Sequence, residues 1–227
     1  MQNKRMPLFA IIVLLGAAHS QAQSSVFDHP LSAQNLANFD AICAQLSSRP
    51  YTKGVFEQTR TMRRQNRPLV SGGDFIVAAD VGLVWITKFP APSVTTLGRD
   101  YMIQSVPGGT ETRIEANGND MYVSMAETIS SLFTGNAEKL KQNFDNFYME
   151  VRAANGKTWT MGLIPKDRTF RNFIQQIVLE GADGAQGAVV RSIAISERNG
   201  NSLTYAFSGQ SFPAALEAHE KVYFPGL

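Results

Sequence analysis

The chain has 227 residues, of which 44% are hydrophobic and 18% charged, which is enough for one domain with a sizeable core. It carries 21 Lys and Arg against 19 Asp and Glu. So small an excess of positive charge argues against a general nucleic-acid binder, because most of that affinity comes from contacts with phosphates.

The first predicted element is a secretory signal peptide over residues 1–22. Lys4 and Arg5 give a positive start, and Leu8–Ala18 is an apolar run too short to span a bilayer. The alternative is an uncleaved membrane anchor, which needs a longer apolar run. Without residues 1–22 the chain has 19 basic and 19 acidic side chains. We expect residues 23–227 to form a single exported, soluble domain and a monomer.

Cys43 is the only cysteine, so we expect no internal disulfide in the exported chain. It lies too far beyond the apolar run to be the lipidated cysteine of a lipoprotein signal. It falls within an amphipathic helix predicted over Leu31–Ser48, and this position favours a buried thiol over a reactive one.

Strands dominate the chain after this helix. Alternating apolar residues predict them at Val55–Met62, Leu69–Ala79, Gly82–Phe89, Tyr101–Val106 and Thr110–Ala116. Asn-Gly, the strongest short-range hairpin signal, occurs at Asn117-Gly118, Asn155-Gly156 and Asn199-Gly200. Further alternation flanks the last two pairs, which predicts more antiparallel strands of the same sheet.

Three segments interrupt the strand pattern. Met125–Phe144 is predicted to form two short helices, because apolar residues recur at helical spacing on both sides of a break at Gly135-Asn136. Pro213–Tyr223 is predicted to be a C-terminal helix, since Pro suits the first turn. Gly181–Gly187 lacks the Lys-Ser/Thr of a phosphate loop and is predicted to be a mobile loop.

These elements predict a mostly β fold with helices (α+β), built on a single curved antiparallel sheet. Strand twist accumulates across so large a sheet and makes it curl into an incomplete β-barrel. The few helices would then form a lid over the concave side. A curled sheet under a helical lid can enclose an apolar cavity, whereas periodicity alone also allows a filled core.

Two groups of side chains are candidates for binding. The candidate cavity and lid lining is apolar and comprises Phe56, Phe75, Trp85, Ile129, Leu132, Phe133, Met149, Trp159 and Met161. Each of these residues is also compatible with plain core. Arg60, Arg63, Arg64 and Arg67 surround a predicted hairpin tip, which is either a solvated turn or a docking patch for an acidic partner or anionic lipid head groups.

Catalytic and metal-binding signals are weak. His29 and His219 are the only histidines after residue 22, and neither has partners at metal-ligand spacing. Gly209–Pro213 lacks the second glycine of a nucleophile elbow. We therefore expect no enzyme activity, no metal and no cofactor.

An ordered series of short segments resembles the LolA-like family of periplasmic lipoprotein carriers. The series comprises Gly54–Gln58, Arg67–Leu69, Ser71–Phe75, Gly82–Trp85 with Pro90, Leu132–Asn136 followed by Leu140 and Phe144, Trp159–Pro165 and Ile177–Gly181. The likeness extends over roughly residues 52–209.

The resemblance implies an incomplete β-barrel with a helical lid over a cavity that accepts acyl chains. It implies a periplasmic location and a lipoprotein or other acylated lipid as cargo. The cargo would come from an inner-membrane transporter and pass to an outer-membrane acceptor, without nucleic acid, nucleotide or metal.

One departure from the family affects the lid. The family carrier has an Arg-Pro pair shortly before the Trp of the second strand pair, and that Arg helps to hold the lid. Here the stretch is Ala78-Ala79-Asp80-Val81, so the latch is missing. An alternative function is a sensing module that binds a lipid or lipoprotein and signals to a membrane partner. A hydrolase is a third, against which the scarcity of His argues.

Overall fold

The computed structural model describes residues 25–65, 67–116, 128–153 and 156–225. The predicted signal peptide over residues 1–22 and the predicted turn at Asn117-Gly118 lie outside the described residues, as does Asn155 of the second Asn-Gly pair.

The described helices are few and short. After a 3-10 turn at Val26–Asp28 come α1 (Leu36–Ser47), α2 (128–134), α3 (Ala137–Asn143), α4 (Arg168–Arg171) and α5 (Ala218–Lys221). The helix pair predicted around Gly135-Asn136 is confirmed over residues 128–143 as α2 and α3, which we call the lid, whereas residues 125–127 of the prediction lie outside the described residues and Phe144 begins β7. The predicted C-terminal helix is much shorter, because residues 212–217 cross the outer face of the sheet in a non-helical path.

Eleven strands make up the rest of the described fold. They are β1 (Tyr51–Thr61), β2 (Leu69–Ala78), β3 (Gly82–Phe89), β4 (Ser93–Gly98), β5 (Tyr101–Ser105), β6 (Thr112–Glu115), β7 (Phe144–Ala153), β8 (Gly156–Pro165), β9 (Ile174–Gly184), β10 (Gly187–Glu197) and β11 (Ser202–Ser211). The expected loop at Gly181–Gly187 is wrong, since only residues 185–186 separate β9 from β10.

All strands belong to one antiparallel sheet in the order β6-β5-β4-β3-β2-β1-β11-β10-β9-β8-β7. The edge strands β6 and β7 are consecutive in the chain, and the lid lies in the connection between them. Laid flat, the sheet would be roughly 48 Å wide at about 4.8 Å per strand. One contiguous core nevertheless contacts both β3 and β8, so the sheet curves around its helices. The predicted incomplete barrel is confirmed.

The concave inner face packs against α1. Phe39, Ile42, Cys43 and Leu46 of this helix are all buried among strand residues. Cys43 is 1% exposed, and burial raises the pKa of its thiol to about 12. The prediction of a buried, unreactive thiol is confirmed.

The outer face carries a second, smaller core. Ile76, Ala78 and Val84 point away from α1 and are covered by Leu216 and Phe224 of the C-terminal segment. Two polar contacts hold that segment in place. The Thr96 hydroxyl donates to the Tyr223 carbonyl at 3.1 Å. Lys53 Nζ lies 2.6 Å from Glu220 Oε1.

The two sheet edges differ in protection. Residues 29–31 run along β7, where the Leu31 N–H donates to the Asn146 carbonyl at 2.8 Å and the Tyr148 N–H donates to the His29 carbonyl at 2.9 Å. The four residues of β6 are all exposed. The β7 edge is therefore covered in part by the segment at residues 29–31, whereas the side chains of β6 are exposed.

We predict that the Lys53–Glu220 pair makes stability pH-dependent. Burial alone raises the pKa of the Glu220 carboxyl, but hydrogen bonds from Lys53 and the Glu217 N–H lower it overall. The stabilisation is therefore complete above the ordinary glutamate pKa of about 4.3 and is lost as pH falls through the lower folded-state value. Glu220→Gln should cost about 1–3 kcal/mol at neutral pH, and the difference from wild type should shrink in acid.

Urea unfolding at several pH values measures this effect. Asp74→Asn is the matched control, because Asp74 pairs with Lys88 at 2.7 Å but both side chains are substantially exposed. It should cost less than about 1 kcal/mol. Equal losses for the two variants would contradict a structural role for the Glu220 pair.

Candidate functional site

Four adjacent strands bring aromatic side chains together on the inner face. Phe75 of β2 lies opposite Trp85 of β3, and Phe56 of β1 lies opposite Phe207 of β11. Tyr205 follows on the same face of β11, because side chains two positions apart in a strand share a face. We call these five residues the aromatic cup.

The floor and the rim of the cup differ in exposure. Phe56, Phe75 and Phe207 form a buried floor. Trp85 and Tyr205 are half-buried and form the rim. Burial raises the pKa of Tyr205 to about 12, so its hydroxyl stays protonated at neutral pH. The cup is therefore an uncharged apolar surface that is accessible from one side.

Phe133 of the lid occupies the cup. Its ring centroid lies 5.3 Å from that of Phe207, 6.1 Å from that of Phe75 and 6.3 Å from that of Trp85. The neighbouring void, lined by Phe75, Phe133 and Phe207 among others, measures only about 10 Å³. That is about the lower limit for one water molecule. The cavity expected from the sequence is thus filled by Phe133 in this conformation.

The predicted lining residues fall into three groups. Phe56, Phe75, Trp85 and Phe133 meet in and around the cup, as described. Ile129, Leu132, Trp159 and Met161 belong to the same inner-face core without a described ring contact to the cup. Met149 does not join them. Its neighbour Tyr148 pairs with Met161 on the inner face, so the two-residue period places Met149 on the outer face opposite Thr160.

Tyr205 and Phe207 were not among the predicted lining residues. The signal was present in the sequence, because they alternate along the strand after Asn199-Gly200. What the sequence did not show is that β11 pairs with β1, which brings the two rings beside Phe56 and Phe75.

The lid is tethered to α1 at one corner. Lys141 Nζ of α3 lies 2.9 Å from Asp40 Oδ1 of α1. The break between α2 and α3 rests directly on α1, because a Cβ added to Gly135 would lie 2.9 Å from the Cys43 carbonyl oxygen and 2.6 Å from Leu46 Cβ. Gly135 also has a φ of +60°, which favours glycine. This corner is suited to act as the pivot of the lid.

The opposite side of the lid faces a cleft at the β2–β3 turn. The cleft measures about 320 Å³ and is lined by Ala79, Asp80 and Val81 of the β2–β3 turn and by Ser130, Ser131 and Thr134 of α2, among others. Among the described residues, no hydrogen bond joins this turn to α2. The turn that lines this cleft carries no arginine, since its sequence is Ala78-Ala79-Asp80-Val81.

Two indole N–H groups in the interior lack acceptors. Trp85 Nε1 and Trp159 Nε1 are buried and have no hydrogen-bond partner among the described residues. A buried donor without an acceptor is costly, so such groups mark places where a ligand oxygen would be stabilised.

The four predicted docking arginines separate into two environments. Arg60 lies 3.0 Å from Glu197 and is paired. Arg63, Arg64 and Arg67 are exposed at the β1–β2 turn, and no ion pair engages them among the described residues. The Arg63 N–H donates to Asn201 Oδ1 of the β10–β11 turn at 3.1 Å.

Two other kinds of site are absent from the part of the chain that the structure describes. Among the described residues, no three His, Cys, Asp or Glu side chains are grouped in a way that could hold a metal ion. None of the helices described is both long enough and apolar enough to cross a membrane.

We predict that Gly135→Ala is more disruptive than Gly108→Ala. Both glycines have positive φ, which costs alanine roughly 1–2 kcal/mol. A Cβ at Gly108 meets nothing within 4 Å, whereas one at Gly135 overlaps α1. We expect Gly135→Ala to cost about 2 kcal/mol more than the control and to speed amide exchange in the lid. Urea unfolding and hydrogen exchange test this. If the two variants lose the same free energy of unfolding, the contact between Gly135 and α1 can relax without cost.

No protein-family model matches the chain, and no curated protein matches it. Several solved structures do match the chain. The crystal structure of a DUF1329 family protein from Desulfovibrio piger matches with a TM-score of 0.50 and 11% identity, over 84% of this chain and 97% of that one. At this identity the likeness shows the fold alone.

Two further matches bear the family description that the sequence resemblance names. A putative outer membrane lipoprotein-sorting protein domain from Vibrio parahaemolyticus matches with a TM-score of 0.41 and 11% identity, over 88% of this chain and 99% of that one. A LolA superfamily protein from Nitrosomonas europaea matches with a TM-score of 0.41 and 8% identity, over 81% and 96%. Scores at this level carry no argument about function.

Proposed function

We propose that the protein is a periplasmic carrier that shields the acyl chains of a lipoprotein or another acylated lipid between the lid and the aromatic cup. The observation that carries the proposal is the insertion of Phe133, from a short lid helix, into a cup of five aromatic side chains. Phe133 holds the place that an acyl chain takes when the lid opens.

The chemistry of the cup suits acyl chains. It is uncharged, its floor is buried and its rim is half-exposed, so a chain can enter from the side of Trp85 and Tyr205. Each methylene removed from water contributes about 0.8 kcal/mol. The Trp85 Nε1–H group, which has no acceptor among the described residues, would also donate a hydrogen bond to an ester or amide carbonyl of the cargo.

The attachment of the lid supports movement. One side is held at Gly135 and by the Lys141–Asp40 pair, while the other faces the cleft at the β2–β3 turn. A hinge needs only a few residues that absorb the change in φ and ψ. The lid can therefore swing about its α1 corner and carry Phe133 out of the cup.

The cellular route belongs to the same proposal. Residues 1–22 act as the signal peptide, and residues 23–227 form the carrier domain in the periplasm. Cargo comes from an inner-membrane transporter and goes to an outer-membrane acceptor. The order of sequence segments from Gly54 to Gly181 that resembles the carrier family supports this route.

Tryptophan quenching tests the site directly. The chain has only two Trp, so Trp159→Phe leaves Trp85 as the sole indole emitter, and Trp85→Phe leaves Trp159. We expect brominated fatty acids to quench Trp85 emission saturably, because bromine quenches only on contact. An unbrominated chain of equal length should restore the emission. Absence of quenching in both variants would overturn acyl binding in this core.

We further predict that Phe133→Ala binds acyl chains several-fold more tightly than wild type. Removing the ring abolishes the competition between Phe133 and cargo, so a larger fraction of the protein is ready to bind. The change should cost only about 1–3 kcal/mol of stability, because the ring is half-buried. Displacement of a fluorescent acyl probe gives the affinity.

Leu163→Ala is the matched control for this prediction. Leu163 is fully buried in the same core on β8, away from the cup. Its truncation should cost about 2–5 kcal/mol and leave acyl affinity unchanged. If both variants gain affinity equally, loosening of the core explains the result, and Phe133 does not compete with the acyl chain for the cup.

Transfer of bound cargo to acceptor vesicles distinguishes a carrier from a sensor, because a sensor would retain the cargo.

A further inference from the structure

The register of the sheet places five of its connections at one end. Gly72 pairs with Phe89, Val94 pairs with Ser105, and Thr61 pairs with Ser202. The connections β1–β2, β3–β4, β5–β6, β8–β9 and β10–β11 therefore share one end of the sheet, which we call the tip end. The β2–β3, β4–β5, β7–β8 and β9–β10 connections lie at the opposite end, and the β6–β7 connection joins Glu115 at that end to Phe144 at the tip end.

Large apolar side chains are exposed on four of these five connections or beside them. Leu69 is 55% exposed, Phe89 46%, Val106 48% and Phe173 59%. Exposed apolar residues are unremarkable when scattered singly. Here half of the large apolar residues that the described chain exposes, with Val70 included, gather at one end of the sheet.

Basic side chains lie between the apolar ones. Seven are carried by the same connections, namely Arg63, Arg64, Arg67, Lys166, Arg168, Arg171 and Arg198. The acidic residues of these connections are Glu111 and Asp167, and Asp167 accepts the Phe170 N–H as the cap of α4. Glu197, at the end of β10, pairs with Arg60. The tip end is therefore strongly positive, whereas residues 23–227 as a whole carry 19 basic and 19 acidic side chains.

Three of the connections are joined into one surface. The Arg63 N–H donates to Asn201 Oδ1 at 3.1 Å, which links the β1–β2 and β10–β11 turns. The Arg198 N–H donates to the Phe173 carbonyl at 2.9 Å, and Arg198 Nε donates to the Arg171 carbonyl at 3.0 Å. These hydrogen bonds join the turns that carry Arg63, Arg198 and Phe173.

We propose that the tip end docks on a lipid bilayer that contains anionic phospholipids. The arginines contact head-group phosphates, and Leu69, Phe89, Val106 and Phe173 insert at the interface. The spread of the apolar residues favours a bilayer over an acidic protein. They lie on or beside four separate connections of the sheet, whereas a protein partner needs a packed, complementary surface. A bilayer accepts separate points of insertion.

Docking would orient the molecule. Because positive charge is concentrated at one end and the remainder of the chain is correspondingly negative, an anionic surface attracts the tip end and repels the other. The inference does not depend on acyl binding in the cup, so each can fail without the other.

Vesicle partitioning tests the proposal with residues 23–227, which include the whole described fold. Sedimentation with phosphatidylcholine vesicles, with and without phosphatidylglycerol, gives the partition coefficient. We expect binding only when phosphatidylglycerol is present. Arg63→Glu with Arg64→Glu should weaken it by at least about 20-fold, because each basic residue near an anionic surface contributes roughly fivefold. Salt should weaken wild-type binding, as the Debye length falls from about 10 Å at 0.1 M to about 3 Å at 1 M.

The apolar contribution is tested separately. Phe173→Ser should lower partitioning about tenfold at any salt concentration, since insertion is not screened. Val222→Ser is its control, because Val222 is 74% exposed and lies outside the tip connections. Arg152→Glu with Arg191→Glu is the charge-matched control away from the tip end. Urea midpoints confirm that each variant is folded.

Three results would overturn the proposal. One is equal partitioning of wild type into both kinds of vesicle, or into neither. Another is an equal loss in the charge-matched control, which would indicate attraction without orientation. The third is unchanged partitioning of the variant with Arg63→Glu and Arg64→Glu, which would show that these arginines belong to a solvated turn and do not contact the bilayer.

Discussion

The packing of α1 and the lid against the concave face of the sheet determines the rest of the architecture. An eleven-stranded sheet with an apolar inner face cannot stay flat or open, because that face must be removed from water. Helices inside the curve cover it and also keep β6 and β7 apart. The gap between these edges is where the chain leaves the sheet to form the lid. Curvature, gap and lid thus follow from one requirement for burial.

The same packing sets the energetic balance at the cup. A fully buried Phe side chain contributes about 1.5–3 kcal/mol and each buried methylene about 0.8 kcal/mol, so about four methylenes are enough to replace the half-buried ring of Phe133. Burial of a long acyl chain therefore releases more free energy than is lost when Phe133 leaves the cup, whereas burial of a short apolar molecule does not. A filled core and a lipid carrier are compatible descriptions of one molecule, because the filling is a single side chain on a movable element.

Local patterns predicted the elements well where apolar periodicity was strong. Gly82–Phe89 was predicted with its observed limits, and Leu83 and Val84 do face opposite cores. β4 was missed because Ser93, Thr95 and Thr96 mask the alternation, and two prolines precede it. Met149 was assigned to the wrong face because register is a property of strand pairs. The pairing of Arg60 with Glu197 and the insertion of Phe133 into the cup join residues far apart in sequence, so no local pattern reveals them.

The unequal protection of the two edges limits how copies of this chain can associate. Unlimited growth by strand addition needs a free edge at both sides of each molecule. Residues 29–31 occupy the edge of β7 at residues 146–148, and the four residues of β6 are exposed. Two copies could pair β6 with β6, but that pairing uses the free edge of each and ends there. Strand addition along the whole of β7 would have to displace residues 29–31, so this three-residue segment is an obstacle to edge-to-edge growth of the sheet.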